Sequence, residues 1–279
     1  MPNRVVQKFA ELRARGQAAF MPFLTAGDPD YETTRAIILE LEKRGADLIE
    51  LGIPYSDPVA DGPIIQASFA RALSGGATVQ QAFAMLRALR KKSQIPVLTM
   101  VSYSIVHRLG SARFVADASA AGADGAIIPD LPVDEAAEVI ESARAKDFCT
   151  VFLAAPTTTP ERRRLIARHS TGFIYYISVA GVTGARDRLP EDLPKHLAEL
   201  KALTSTPIAV GFGVSTPAQA RAVAQIADGV IVGSAIVRVI AEHSARARRT
   251  LVTKVGAFAA ELAAGVKAVS RPQPGDSSP

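Results

Sequence analysis

Gly45-Ala-Asp-Leu-Ile-Glu-Leu-Gly-Ile-Pro54 opens with a glycine able to end a helix in the left-handed conformation, continues as an apolar run of strand length, and stops at a proline. The same introduction recurs as Gly122-Ala-Asp124 before Gly125 and, shortened, as Ala227-Asp-Gly229 before Val230. Between such runs lie longer Ala-, Glu- and Arg-rich segments whose apolar residues return at helical spacing, the alternation of an α/β fold. Runs of strand type fall at 19–25, 47–53, 96–101, 125–130, 149–155, 173–178, 207–212 and 229–233. Eight of them in roughly 250 residues predict a (β/α)8 TIM barrel. An extra amphipathic helix near residues 3–15 would cover the barrel floor with Val6, Phe9 and Leu12. The reading is a single domain over 1–268, with 269–279, rich in Pro, Ser and Gly, as a disordered tail.

The chain has 279 residues, 48% of them hydrophobic and 21% charged, enough to bury one large core. Its formal charge of +5 is spread along helices instead of forming a basic stripe interleaved with aromatics, so nucleic acid is not an expected partner, while small anions are. The single cysteine, Cys149, excludes an intramolecular disulfide and reads as an inert core thiol. The first residues lack an apolar signal core and no stretch could span a bilayer, so the expectation is a soluble cytoplasmic protein without a membrane partner.

Two intervals between strands are expanded. The one after 47–53 is about twice the usual length, and the one after 173–178 begins with the Gly- and Pro-rich Gly181-Val-Thr-Gly-Ala-Arg186. In a barrel these loops share the C-terminal face, where sites of this fold are built. Gly184, Gly213 and Gly233, with the helix opening at Ser234, follow three successive strands on that face. Glycines admit close approach of backbone N–H groups to an anion, so the group reads as a phosphate cradle.

Absent residues narrow the chemistry. No predicted strand carries a lysine for a Schiff base, and His107, His169, His196 and His243 lack paired metal-ligand spacing. Carboxylates at strand ends remain: Glu50, Asp61 and Asp130. An inward Glu50 would have its pKa raised by apolar neighbours and exchange a proton near neutral pH. Asp61, on a proline-flanked loop, would stay ionised and accept a hydrogen bond. The alternative is a structural Glu50 paired with a barrel arginine.

Five motifs carry a family resemblance: Phe23-Leu-Thr-Ala-Gly-Asp-Pro29, Glu50-Leu-Gly-Ile-Pro-Tyr-Ser-Asp-Pro-Val-Ala-Asp-Gly-Pro-Ile-Ile-Gln66, Pro129-Asp-Leu-Pro132, Tyr175-Tyr-Ile-Ser-Val-Ala-Gly-Val-Thr-Gly-Ala-Arg186 and Gly211-Phe-Gly-Val-Ser215. In order and content they resemble the tryptophan synthase alpha subunit. The resemblance implies retro-aldol cleavage of indole-3-glycerol phosphate to indole and glyceraldehyde 3-phosphate. It implies that Glu50 protonates the ring carbon, that Asp61 accepts from the ring N–H, and that Tyr175 sits beside the substrate. Phe23 and Phe212 would flank the indole, Thr183 would meet Asp61, and Gly184, Gly213, Gly233 and Ser234 would hold the phosphate. It further implies no cofactor in this chain and a beta subunit partner, in an αββα heterotetramer, that owns pyridoxal phosphate. One departure stands out: Ser102 and Ser104 occupy positions where the family commonly has Tyr and Asn. A stand-alone lyase releasing indole, another phosphate-binding barrel enzyme and a non-catalytic allosteric subunit are the alternatives.

Overall fold

The computed structural model describes residues 3–59, 61–177, 189–211 and 213–271. Its strands are β1 (Ala19–Thr25), β2 (Ile49–Gly52), β3 (Val97–Met100), β4 (Gly125–Ile127), β5 (Cys149–Val151), β6 (Leu153–Ala154), β7 (Ile174–Ile177), β8 (Ile208–Gly211) and β9 (Gly229–Val232). Every pairing is parallel, in the order β5-β4-β3-β2-β1-β9-β8-β7-β6. The two ends of that order, β5 and β6, are separated in the chain only by Phe152. The run 149–155 therefore pairs with β4 through its first half and with β7 through its second, and the sheet closes on itself. The eight predicted runs thus appear as nine strands, because the partner changes at Phe152.

The long interval after β2 holds two helices, Pro63–Ser74 and Val79–Arg90, which accounts for its length. At the other end of the barrel, the helix Arg4–Ala14 is capped by Asn3, whose side chain accepts from the Val5 N–H and donates to the Asp124 and Asp147 carbonyls. That cap sets the helix face. Val5, Phe9 and Leu12, at i, i+4 and i+7, pack under the barrel, with the Phe9 ring 5.7 Å from Phe173. Val6, expected on this face, is 46% exposed, because the covering stripe begins one residue earlier.

Inside the barrel, large and small residues interlock, as a packed interior requires. A Cβ on Gly229 would come within 2.8 Å of the Met21 sulfur, one on Gly211 within 2.7 Å of the Tyr175 hydroxyl, and one on Gly52 within 2.5 Å of the Phe23 ring. Outward residues such as Phe20, Leu24, Ile49 and Leu51 pack instead against the helices.

The repeated introduction to the strands has a structural meaning in its aspartate as well as its glycine. Gly45 and Gly122 have φ of 96° and 98°, as helix ends in the left-handed region do. Asp47, Asp124 and Asp228 then each accept, through Oδ2, an N–H from the first or second residue of the neighbouring strand: Phe20 at 2.8 Å, Val97 at 2.8 Å and Ile208 at 2.9 Å. Their own N–H groups donate to the carbonyls of those same three residues. Each aspartate therefore fixes the register of two strands at the barrel floor, and each is paired with a cation: Lys267, Arg4 and Arg90, or Arg271 and Lys201.

Among the described residues, no helix is long and apolar enough to cross a membrane. Cys149 is buried, and burial pushes its thiol up to about 12. Val269 is buried and Arg271 pairs with Asp228, while 272–279 of the predicted tail lie outside the described residues.

Candidate active site

Side chains on β2 alternate between the helix layer (Ile49, Leu51) and the barrel interior (Leu48, Glu50). Glu50, opposite Phe23 of β1 and Leu98 of β3, is 1% exposed. Among the described residues neither carboxyl oxygen has a hydrogen-bond partner and no arginine meets it, so none of them forms the structural ion pair. A lone buried carboxylate is costly unless it keeps its proton. Burial first, and the nearby Asp61 second, raise the Glu50 carboxyl from its usual 4.5 to about 8. At neutral pH it is an acid with a proton to give.

Asp61 comes from the loop that follows β2. The loop is stiffened by Pro54, Pro58 and Pro63 and is folded back by Gln66, whose Nε2 donates to the Pro58 and Asp61 carbonyls at 3.2 and 2.7 Å. The Asp61 N–H closes a turn onto the Pro58 carbonyl. Burial pushes the Asp61 carboxyl upward, opposed by the Tyr55 hydroxyl, which donates to its Oδ2 at 3.4 Å. The Tyr55 ring in turn packs edge-on to Phe69 of the helix Pro63–Ser74, which fixes the hydroxyl's position. Sequence reasoning missed Tyr55 and Gln66. Both lie inside the quoted motif, but only the folded loop shows that they act on Asp61.

Tyr175 reaches the same place from β7. Burial, and then the charges of Glu50 and Asp61, hold its phenol well above the usual range, so it is a neutral hydroxyl. It fits because Gly211 of β8, whose Cβ would come within 2.7 Å of the Tyr175 hydroxyl, has none. Phe23 is buried beside Gly52 and under Ile65, Phe69 and Val237, forming an apolar wall at the mouth. Around the rim from these groups, the helix Ser234–His243 begins at Gly233 with no side-chain cap, leaving first-turn N–H groups open. A Cβ on Gly233 would lie 3.7 Å from Phe23, so the protein itself does not require glycine there. Gly213 has φ of 50°, the left-handed region. The fold thus brings Glu50, Asp61, Tyr175, Phe23, Gly213, Gly233 and Ser234 to one end of the barrel. Thr183, Gly184 and Phe212 lie outside the described residues.

Asp130 is occupied otherwise. Its carboxylate accepts from the Ser102 hydroxyl at 2.7 Å and from the Tyr103 N–H at 2.8 Å, securing the helix Tyr103–Leu109. Among the described residues no group of three or more His, Cys, Asp or Glu is placed to hold a metal ion.

A paired acid system at the C-terminal end of a barrel, beside an open helix N-terminus, limits the chemistry but not the family. Residues 9–267 match the family model for the tryptophan synthase alpha chain. The chain belongs to that family. Curated tryptophan synthase alpha chains include one from Geotalea daltonii, 45% identical over 95% of this chain and 100% of the relative. Another, from Gloeobacter violaceus, is 47% identical over 86% and 87%. Among solved structures, the tryptophan synthase subunit alpha of Legionella pneumophila superposes with a TM-score of 0.89 at 36% identity, covering 96% of this chain and 100% of that one. A Mycobacterium tuberculosis tryptophan synthase structure matches with a TM-score of 0.87 at 37% identity over 96% and 99%.

For this tryptophan synthase alpha chain family member, the serines after β3 have a local explanation. Ser102 caps the helix Tyr103–Leu109, lies 2.8 Å from the Ser104 hydroxyl and donates to Asp130. Both hydroxyls are engaged in holding that turn together.

Proposed function

We propose that this chain cleaves indole-3-glycerol phosphate to indole and glyceraldehyde 3-phosphate in tryptophan biosynthesis, in the cytoplasm, with Glu50 as its proton-transfer residue. The observation that carries this is a carboxyl group, buried and without a partner among the described residues at the barrel mouth, that keeps its proton at neutral pH. Glu50 gives that proton to the indole carbon bearing the side chain, and the ring electrons that take it leave the ring nitrogen positive. The Asp61 carboxylate accepts from that N–H and stabilises the cation. Ionised Glu50 then removes the proton of the adjacent hydroxyl. The carbon–carbon bond breaks, its electrons return to the ring nitrogen, and indole and the aldehyde separate with Glu50 again protonated.

Tyr175 and Phe23 position the indole, with Phe212 on its other side and Thr183 meeting Asp61. The backbone at Gly184, Gly213, Gly233 and Ser234 receives the phosphate. No step asks this chain for a cofactor. The partner is a beta subunit that holds pyridoxal phosphate and consumes the indole within an αββα assembly. The test is indole release from indole-3-glycerol phosphate with and without a cognate beta subunit. A rise of tenfold or more, about 1.4 kcal/mol of coupling, is the expected result. High activity alone with no rise would overturn the partnership, and no cleavage in either condition would overturn the reaction.

A further inference from the structure

On the floor side of the barrel, opposite the mouth, a cavity of about 760 Å³ opens between the N-terminal helix and residues 201–207. Its volume is in the range of small-molecule sites. Phe9, Leu203 and Pro207 give it apolar walls, and Leu203 is 44% exposed although nothing polar requires it there. Its cations outnumber its anions. Arg13, Lys201 and Arg271 face a single carboxylate, Asp228.

A stabilising network would account for part of this, but not for all of it. Asp228 is fully engaged: Oδ1 lies 2.9 Å from Arg271 and 3.7 Å from Lys201, and Oδ2 accepts from the Ile208 N–H. Lys201 also donates to the Ile226 carbonyl at 3.2 Å, and the backbone N–H of Arg271 donates to the Gly16 carbonyl at 2.8 Å. Both cations are therefore held in place at the cavity wall. Arg13 has no side-chain hydrogen bond or ion pair among the described residues, yet lies close enough to Lys201 for its charge to act there. Among the described residues one acid faces three bases, and Arg13 has no counter-charge of its own.

We propose that this cavity is a second, non-catalytic binding site for a small organic anion, an acidic group joined to an apolar body. The acid would lie among Arg13, Lys201 and Arg271, with the Thr204 and Thr206 hydroxyls nearby, and the body would lie against Phe9 and Leu203. Because all three cations are at least partly exposed, binding should weaken as salt rises.

The probe is 8-anilinonaphthalene-1-sulfonate, titrated by fluorescence into the full chain in the presence of saturating glycerol phosphate, which occupies the mouth. Expected is saturable binding that weakens roughly tenfold in Arg13→Glu and several-fold in Leu203→Asp, both exposed positions. In the unaltered protein, amide resonances of Thr204 and Thr206 should shift on titration while that of Ser234 does not. Absence of saturable binding, affinity unchanged in either variant, or shifts confined to the mouth would overturn the proposal.

Discussion

Glu50 stands apart from the other carboxylates because the barrel leaves it buried and alone among the described residues. Leu98 and Phe23 flank it in register, no donor among the described residues reaches either oxygen, and burial raises its carboxyl to about 8. Two predictions follow at this scale. Glu50→Gln keeps the shape and removes the proton, so turnover should fall by roughly 10² or more with the phosphate end untouched. Retention of more than about a tenth of wild-type kcat would remove Glu50 from the chemistry. The second concerns pH. Below the unfolded value of 4.5 both states carry the proton, and above about 8 neither does. In between, only the unfolded chain has released it, so raising pH favours unfolding by about 1.4 kcal/mol per unit. Thermal melts of the free chain should therefore show stability declining from pH 5 to pH 8 in the wild type and a flatter curve in Glu50→Gln, while kcat/KM falls above about pH 8. Parallel melting curves would mean that Glu50 does not hold its proton. An acid inside an apolar run was legible in the sequence. The absence of any partner among the described residues was not, since no strand run carries an arginine but one from a loop or helix could have reached inward.

The element that matters most is the unit formed by β2, the following loop and the helix Pro63–Ser74. Here the proline spacing announced a stiff loop, and the motif from Glu50 to Gln66 announced the family. Two relations were invisible in the spacing: Gln66 reaching back from the first turns of the helix to two loop carbonyls, and Tyr55 clamped by Phe69 so that its hydroxyl meets Asp61. Both depend on the turn that the Asp61 N–H closes onto the Pro58 carbonyl. Gln66→Ala deletes two hydrogen bonds that hold Asp61 near the mouth but no core contact. Given the usual net worth of about 1 kcal/mol per bond, stability should change by no more than about 2 kcal/mol. Asp61 would nevertheless spend less time in position, so kcat/KM for indole-3-glycerol phosphate should fall about three- to tenfold. Steady-state kinetics beside urea unfolding checks this. A loss of stability in proportion to activity would make Gln66 a folding residue and nothing more.

At the scale of the whole molecule, the barrel closes because a run of seven residues, 149–155, changes partner at Phe152, and its registers are held at the floor by three aspartates. The glycines of the repeated phrase were readable from local chain geometry. The aspartates beside them were not, because their partners are amides at the starts of strands that lie elsewhere in the sequence and meet them only across the closed sheet. Asp124 carries the largest share of this network. It is 5% exposed, accepts from the Val97 N–H, and pairs with Arg4 at 2.7 Å and with Arg90 at 3.0 Å. Burial alone pushes its carboxyl upward, with the Val97 amide and the two arginines opposing. Asp124→Ala would leave a buried amide without an acceptor and Arg90, itself mostly buried, without its counter-charge. The expected cost is about 3–5 kcal/mol. Asp124→Asn keeps an oxygen for the Val97 N–H and loses only the charge, so it should fall between wild type and Ala. Urea unfolding of the three proteins at pH 7 measures the order. If Asp124→Ala unfolds within about 1 kcal/mol of wild type, the floor aspartates do not hold the registers, and barrel closure must rest on the interlocking of large and small side chains in the interior.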